Sequence, residues 1–259
     1  MADLEQEQPF LSHLLELRTR LLRMIVGVLL VFLVLLPFAN PIYELLARPL
    51  LAHMPVGGQM VAIDPISPFM APMKLTLIVA LFIAIPWVLY QVWAFIAPGL
   101  YQHEKRLAVP VLLASTILFY CGIVFAYYII LPVFFTFIVS TAPAGVAVMT
   151  DISKYLDFVL TMFMAFGVAF EVPIAVVILV MLGIITPEAL VAKRPYVIIG
   201  AFAIGMVLTP GSDVVSQTLL AVPMWLLFEA GVLVARLLVK QRSTASAATA
   251  IDHYDNKQV

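Results

Sequence analysis

The sequence predicts an all-α integral membrane protein with six transmembrane helices and both termini in the cytoplasm. Hydrophobic residues make up 64% of the 259 positions and charged residues only 11%, against about 25% charged residues in a typical soluble domain. The mean hydropathy is +1.10. Long apolar runs recur between isolated charged residues, as expected of a polytopic membrane protein.

Six apolar runs can cross a bilayer as helices. The first four reach the length of roughly 17 to 25 residues that a spanning helix needs, although Pro86 interrupts the second and Leu131-Pro132 ends the third. The last two are short, and the turn sequence Thr209-Pro210-Gly211-Ser212 lies between them. They form either two short spans in a locally thinned bilayer or a re-entrant hairpin, and we favour the short spans. The predicted spans are residues 22–38, 75–97, 107–131, 156–182, 195–209 and 214–235.

The distribution of Lys and Arg determines the predicted orientation. Eleven of the 14 basic residues fall on one side of these spans, and only Arg48, Lys74 and Lys154 fall on the other. The positive-inside rule therefore places both termini in the cytoplasm. Residues 1–240 form a single membrane domain in this interpretation, and residues 241–259, which have no apolar period, form a disordered cytoplasmic tail.

The motifs of common enzyme classes are absent from the sequence. It contains no H-E-x-x-H, G-x-S-x-G or G-x-x-x-x-G-K-[ST] pattern, so neither zinc-dependent nor nucleotide-dependent hydrolysis is predicted. The four histidines lie at segment ends or in loops, and no Cys/His cluster has metal-binding spacing. The basic residues form no patch suited to nucleic acid. We therefore expect a protein that acts by binding, without a metal or cofactor.

Glu171 is the one ionisable residue between Asp157 and Glu188. A carboxylate at membrane depth costs about 2.5–3.5 kcal/mol even on lenient insertion scales, so it is expected to face a polar cavity or a partner. The structural alternative is a protonated carboxyl that serves only helix packing. Pro173 follows two residues later and is expected to bend the helix.

Acidic residues also occur on the predicted cytoplasmic side. Glu16 precedes Arg20 by four positions, so an ordinary i,i+4 ion pair explains it as well as a binding role does. Glu104 lies beside Lys105 and Arg106 in a short inner loop, where it aids neither membrane anchoring nor orientation. A binding role for Glu104 is therefore the better interpretation.

Several stretches, taken in order, resemble a known family, the C subunit of the twin-arginine protein translocase (TatC). The resemblance runs from about Pro9 to Arg236. It rests on His13-Leu14-x-Glu16-Leu17-Arg18-x-Arg20, Ser67-Pro68-Phe69, Tyr90-Gln91-Val92-Trp93-Ala94-Phe95-Ile96-Ala97-Pro98-Gly99-Leu100, Phe166-Gly167-Val168-x-Phe170-Glu171-Val172-Pro173, Lys193-Arg194-Pro195-Tyr196 and Gly205-Met206-x-Leu208-Thr209-Pro210.

The resemblance implies a concave, glove-like six-helix receptor in the bacterial cytoplasmic (inner) membrane. Members bind the Arg-Arg signal peptides of folded cargo and assemble into oligomeric complexes with single-span TatA- and TatB-type subunits, driven by the proton-motive force. Signal-peptide recognition is then assigned to Glu16, Arg18, Phe95 and Glu104. Partner docking is assigned to Met206, Thr209, Asp213 and Gln217, with Glu171 as a buried acid on the concave face.

A second class of function is a proton- or ion-coupled transporter of small solutes that uses Glu171 as its titrating group. It requires further polar residues at membrane depth, and the available acids, Asp157, Asp213 and Glu229, all lie near predicted span ends. The translocase receptor is therefore the primary hypothesis.

Overall fold

The computed structural model describes the backbone of residues 2–52, 60–96, 108–141, 150–209 and 214–255, with side chains over most of these ranges. The predicted all-α class is confirmed, and the described residues form two compact units, residues 1–164 and 165–259. The elements of the first unit are α1 (Ala2–Leu35), α2 (Ala39–Ala52), β1 (Met60–Val61), α3 (Ser67–Ile96), α4 (Ala108–Phe125), α5 (Leu131–Thr141), β2 (Thr150–Asp151) and α6 (Ile152–Ala169), of which the last continues into the second unit.

In the first unit, α1 packs along α3. The contact is close at Gly27, where an added Cβ atom would lie 2.6 Å from Cδ1 and Nε1 of Trp87. The same Trp87 Nε1 donates a hydrogen bond of 3.1 Å to the Arg23 carbonyl. A residue without a side chain on α1 thus lets an indole of α3 reach the backbone of its neighbour.

The proline inside α3 is compensated by a tyrosine of α4. Pro86 has no N–H, so the carbonyl four residues earlier, at Phe82, loses its usual helical donor. The Tyr120 hydroxyl donates to that carbonyl at 2.8 Å. The apolar helices α3 and α4 therefore meet at a satisfied polar contact, as a water-free environment requires.

The third predicted span was expected to end at Leu131-Pro132, and this expectation is wrong. The helix continues through a π-helical turn, Ala126–Ile130, into α5, which ends at Thr141. The Leu131 N–H bonds to the Ala126 carbonyl, five residues back. The wider turn accommodates Pro132, which lacks a donor and would crowd a normal α-helical turn.

In the first unit, the segment that precedes α3 contacts the segment that precedes α6. β1 pairs with β2 in parallel, with Val61 opposite Asp151. The Asp151 carboxylate accepts the N–H groups of Ser153 (2.7 Å), Lys154 (3.1 Å) and Ile63 (3.3 Å). This side chain therefore caps the start of α6 and holds the segment before α3 against it.

The described residues of the second unit form the end of α6 and four further helices. These are α7 (Val172–Met181), α8 (Pro187–Ala192), α9 (Arg194–Leu208) and α10 (Val214–Asp255). α7 is followed by Gly183, whose φ of 70° ends the segment in a left-handed conformation that suits glycine. α10 packs against both α7 and α9. An added Cβ at Gly231 would lie 2.8 Å from the Pro173 Cα, so α7 and α10 approach closely there.

The last helix differs from its prediction in two ways. The fifth apolar helix is short, as predicted, with 15 residues. α10, in contrast, has 42 residues and is not short. It also continues through Asp255, so the predicted disorder from residue 241 is wrong as far as residue 255. Once nucleated by the apolar segment, the helix propagates through Ser243–Ala250, which contains four alanines and no Gly or Pro.

Among the residues that the structure describes, five helical segments are long and apolar enough to cross a membrane, and α9 is a shorter apolar helix. The five segments are Leu14–Leu45, Ser67–Phe95, Val109–Phe137, Ile152–Met181 and Val214–Gln241. The first begins earlier than predicted, since α1 is continuous from Ala2. The single membrane domain of residues 1–240 remains a prediction.

Candidate functional site

The first predicted site residue, Glu16, forms an ion pair within α1. Its Oε1 accepts hydrogen bonds from Arg20 Nη2 (2.6 Å) and Arg20 Nε (2.9 Å). Arg20 Nη1 lies 3.5 Å from Oε1 of Gln91 on α3, and Gln91 is buried. The pair is therefore the ordinary i,i+4 contact anticipated from the sequence, extended to a second helix.

The geometry of this pair leaves one carboxylate oxygen open. Both Arg20 bonds go to Oε1, and Oε2 of Glu16 accepts none within the described part of the chain. The Glu16 side chain is 36% exposed, whereas that of Arg20 is 19% exposed. Glu16 thus presents Oε2 as a hydrogen-bond acceptor at the surface, and the bonds from Arg20 to Oε1 fix its orientation.

The other residues predicted for this site fall on the same two helices or outside the described residues. Arg18 is exposed on α1 and makes no ion pair with any described residue. Phe95 is half-buried on α3, one helical turn after Gln91 and therefore on the same face. Glu104 lies outside the described residues, so its distance from Glu16 is untested.

Glu171 lies at the break between α6 and α7. Its N–H bonds to the Val168 carbonyl (3.0 Å) and its carbonyl accepts the Ala175 N–H (2.9 Å). The α-helix is interrupted here, and Pro173 in the first turn of α7 supplies no donor to the preceding turn, while the predicted bend itself stays a prediction. Both carboxylate oxygens of Glu171 are buried. An acid is therefore placed at a helix interruption in the middle of an apolar segment.

The residues predicted for partner docking cluster where α9 ends and α10 begins. Met206 is 54% exposed, whereas Thr209 is buried and donates its hydroxyl to the Gly205 carbonyl at 2.9 Å. A Cβ at Gly205 would lie 3.2 Å from the Gln217 carbonyl oxygen, so Gln217 sits at the α9–α10 contact. Asp213 lies outside the described residues. Within the second unit, Met206, Thr209 and Gln217 are thus brought together by the antiparallel pair.

One polar contact of the second unit was not predicted. Arg194 Nη2 on α9 lies 2.5 Å from Glu229 Oε2 on α10. Arg194 Nε and Glu229 Oε1 are buried and have no hydrogen-bond partner among the described residues. A signal for this pair exists in the sequence, because each residue lies sixteen positions from the nearer end of the 210–213 segment. An antiparallel pair folded about that segment brings the two side chains face to face.

Comparison with known proteins decides the family. A family model described as "Sec-independent protein translocase protein (TatC)" matches residues 12–223. The chain belongs to the TatC family. It is 59% identical to the TatC protein of Haemophilus influenzae over 91% of this chain and 92% of that protein. It is 55% identical to TatC of Escherichia coli over 91% of both chains.

Two solved TatC structures share the fold. A crystal structure described as a twin-arginine translocase receptor, TatC, superposes with a TM-score of 0.79 at 39% identity, covering 87% of this chain and 98% of that one. A second TatC crystal structure, in the detergent DDM, has a TM-score of 0.79 at 38% identity, covering 86% and 99% of the two chains.

The activity class follows from TatC membership. The chain is a multi-pass membrane component of a Sec-independent protein translocase, and such a component is a transport protein, not an enzyme. A translocase of this kind works as a complex with other subunits. Protein translocation therefore takes precedence over the alternative of small-solute transport.

Proposed function

We propose that this TatC protein is the receptor subunit that binds Arg-Arg signal peptides. The observation that carries the proposal is the open Oε2 of Glu16, half-exposed on α1 while Arg20 holds the other oxygen. A guanidinium group of the peptide would donate to Oε2 in a charge-assisted hydrogen bond, the strong class of such bonds. Arg18, Phe95 and Glu104 would complete the site, with Glu104 receiving the second guanidinium.

This chemistry predicts discrimination between arginine and lysine. A guanidinium carries five donors in a planar fork, whereas an ammonium group is a compact point charge that cannot form a bidentate pair. With one carboxylate for each side chain, the proposed site would therefore prefer two arginines to two lysines of equal charge. The preference would persist at an ionic strength that screens simple charge attraction.

The test is photocrosslinking of a signal peptide to the chain in membranes. An Arg-Arg peptide should crosslink strongly, its Lys-Lys version weakly, and the Glu16→Ala/Glu104→Ala variant should lose the crosslink while still inserting. Glu44→Ala is a matched control, because Glu44 is an exposed acid of α2 in the same unit. Undiminished crosslinking of the double variant, at normal protein level, would refute the assignment.

We further propose that a single-span TatA- or TatB-type helix docks beside Met206, Thr209, Asp213 and Gln217. The exposed Met206 offers an adaptable apolar contact, and Thr209 is buried one turn away with its hydroxyl bonded to its own helix. Met206→Cys should form a disulfide with a cysteine in the partner helix. Val133→Cys should not, although Val133 on α5 is 47% exposed against 54% for Met206. Equal crosslinking of both would overturn the docking site.

The proposed orientation places both termini in the cytoplasm of a bacterial cell, in its inner membrane, with transport driven by the proton-motive force. It rests on the basic-residue asymmetry and on the absence of a nucleotide-binding motif in the sequence. A reporter enzyme that is active only outside the cytoplasm should be active when it is fused to the chain after Ala52 or Ala147. It should be silent after Gln102, Ala192 and Gln241, and activity after Ala192 would contradict the six-span topology.

A further inference from the structure

A cavity of about 510 Å³ opens in the first unit where α3 and α6 begin. Its lining includes three apolar residues, Phe32 of α1, Leu77 of α3 and Leu156 of α6, which are called its floor below. All three residues belong to the apolar spanning segments. The volume falls in the range of about 300–1,000 Å³ that is typical of small-molecule sites.

The charged and hydroxyl residues of the lining, called its rim below, are partly paired with one another. Lys74 Nζ lies 2.6 Å from Asp157 Oδ1. The Asp151 carboxylate accepts three backbone N–H groups. The hydroxyl of Ser153 bonds to the buried hydroxyl of Ser67 at 2.9 Å. These contacts fix the rim without using all of its charges.

Two rim charges of opposite sign remain available. Lys154 is exposed and makes no ion pair within the described part of the chain. Asp64 is also exposed, and its carboxylate accepts there only the Ile66 N–H, at 3.0 Å through Oδ1. A ligand that meets both groups must carry an anionic and a cationic group. Among the described lining residues, three aspartates outnumber two lysines, which disfavours a purely anionic ligand.

From the apolar floor and the mixed rim, we propose that this cavity binds a phospholipid with a zwitterionic ethanolamine headgroup. Its acyl chain lies along Phe32, Leu77 and Leu156. Its phosphate faces Lys154, and its ammonium donates to Asp64. A primary ammonium carries three N–H donors for a carboxylate, whereas a quaternary choline has none. The proposed topology places this lipid in the outer leaflet, and the site does not depend on signal-peptide recognition.

The experiment is native mass spectrometry of the full chain released from detergent micelles doped with one lipid at a time. We expect retention of phosphatidylethanolamine, and less retention of phosphatidylcholine and phosphatidylglycerol. Lys154→Gln and Asp64→Asn should each weaken retention about tenfold, as expected for the loss of one charge-assisted bond. Lys193→Gln, an exposed lysine of the second unit, is the matched control. Leu77→Trp should fill the floor and exclude the lipid without altering any charge.

Three results would overturn the proposal. Equal retention of the three lipids would show ordinary annular contact, and a preference for phosphatidylglycerol would show an anion site. If glycerophosphoethanolamine, which has no acyl chains, protects the chain from thermal unfolding as well as the lipid does, the ligand is a soluble zwitterion and not a lipid. Circular dichroism of each variant checks that it is folded.

Discussion

Arg20 places both Nε and Nη2 on the same oxygen of Glu16, at 2.9 Å and 2.6 Å. An arginine that paired with both oxygens would use a lone pair of each of them. The arrangement found here orients the acid and leaves its second oxygen available. Arg20 is therefore a positioning residue for the proposed signal-peptide site.

The first prediction concerns Arg20→Gln. Signal-peptide affinity should fall several-fold because the Glu16 carboxylate is no longer held, while stability should change little, since an i,i+4 pair contributes only about 0.2–0.5 kcal/mol. Arg20→Lys should restore part of the affinity. Arg23→Gln removes the same charge three residues later on α1 and should have no such effect. Peptide titration by fluorescence anisotropy measures this, and unchanged or higher affinity in Arg20→Gln would contradict the positioning role.

The second prediction concerns the hydroxyl of Tyr120. Tyr120→Phe leaves the Phe82 carbonyl without a donor next to Pro86, so unfolding free energy should fall by about 1–3 kcal/mol. Tyr128→Phe removes a hydroxyl from a side chain that is 70% exposed and should be nearly neutral. Thermal unfolding in detergent compares the two. Equal effects would show that the carbonyl finds another partner.

The third prediction concerns the close approach of α1 to α3. Gly27→Leu must displace Trp87, which is held by its bond to the Arg23 carbonyl, so we expect a loss of about 1–3 kcal/mol from overpacking. Gly200→Leu is the control, because no atom lies within 4 Å of a Cβ built at that helical glycine. Thermal unfolding of both variants is the measurement. A Gly27 variant as stable as the Gly200 variant would show that Trp87 moves freely.

The fourth prediction separates the receptor from a proton-coupled transporter. If Glu171 supplies polarity at the helix break, Glu171→Gln should retain much of the export activity and Glu171→Leu should lose more of it. A transporter needs the proton itself, so both variants would then be inactive. Export of a folded twin-arginine cargo measures this, and equal, complete loss in both variants would count against the receptor mechanism.

The fifth prediction is a pH dependence at Asp151. The N–H groups of Lys154, Ser153 and Ile63, together with the Lys154 charge, hold the pKa of Asp151 below its ordinary value of 3.8. A carboxyl whose pKa is lower in the folded state than in the unfolded state stabilises the protein at any pH above its unfolded-state pKa. This contribution is lost as the pH falls through the folded-state pKa. The stability difference between the native chain and Asp151→Asn should be constant from neutral pH to about pH 5 and vanish in stronger acid. A difference that grows on acidification would contradict this, as measured by thermal unfolding.

The class of protein and the approximate helix positions follow from the sequence because lipid imposes a simple rule. Apolar runs of a given length must become helices that satisfy their own backbone groups, so composition and charge spacing suffice to locate them. The helix interruption at Glu171 was predictable for a similar reason, since Pro173 removes a donor whatever surrounds it. The family motifs, spread from His13 to Pro210, led to the TatC assignment.

Tertiary structure alone decided which polar groups meet. Nothing local indicates that Tyr120 replaces the donor lost at Pro86, or that Arg20 reaches Gln91, since these partners lie on different helices. The continuation through Pro132 depended on a π-helical turn, which has no periodicity signal in an apolar run. Sequence periodicity reports the environment of one helix. The pairing of polar atoms between helices depends on axial register and close approach, which are set only when the helices pack.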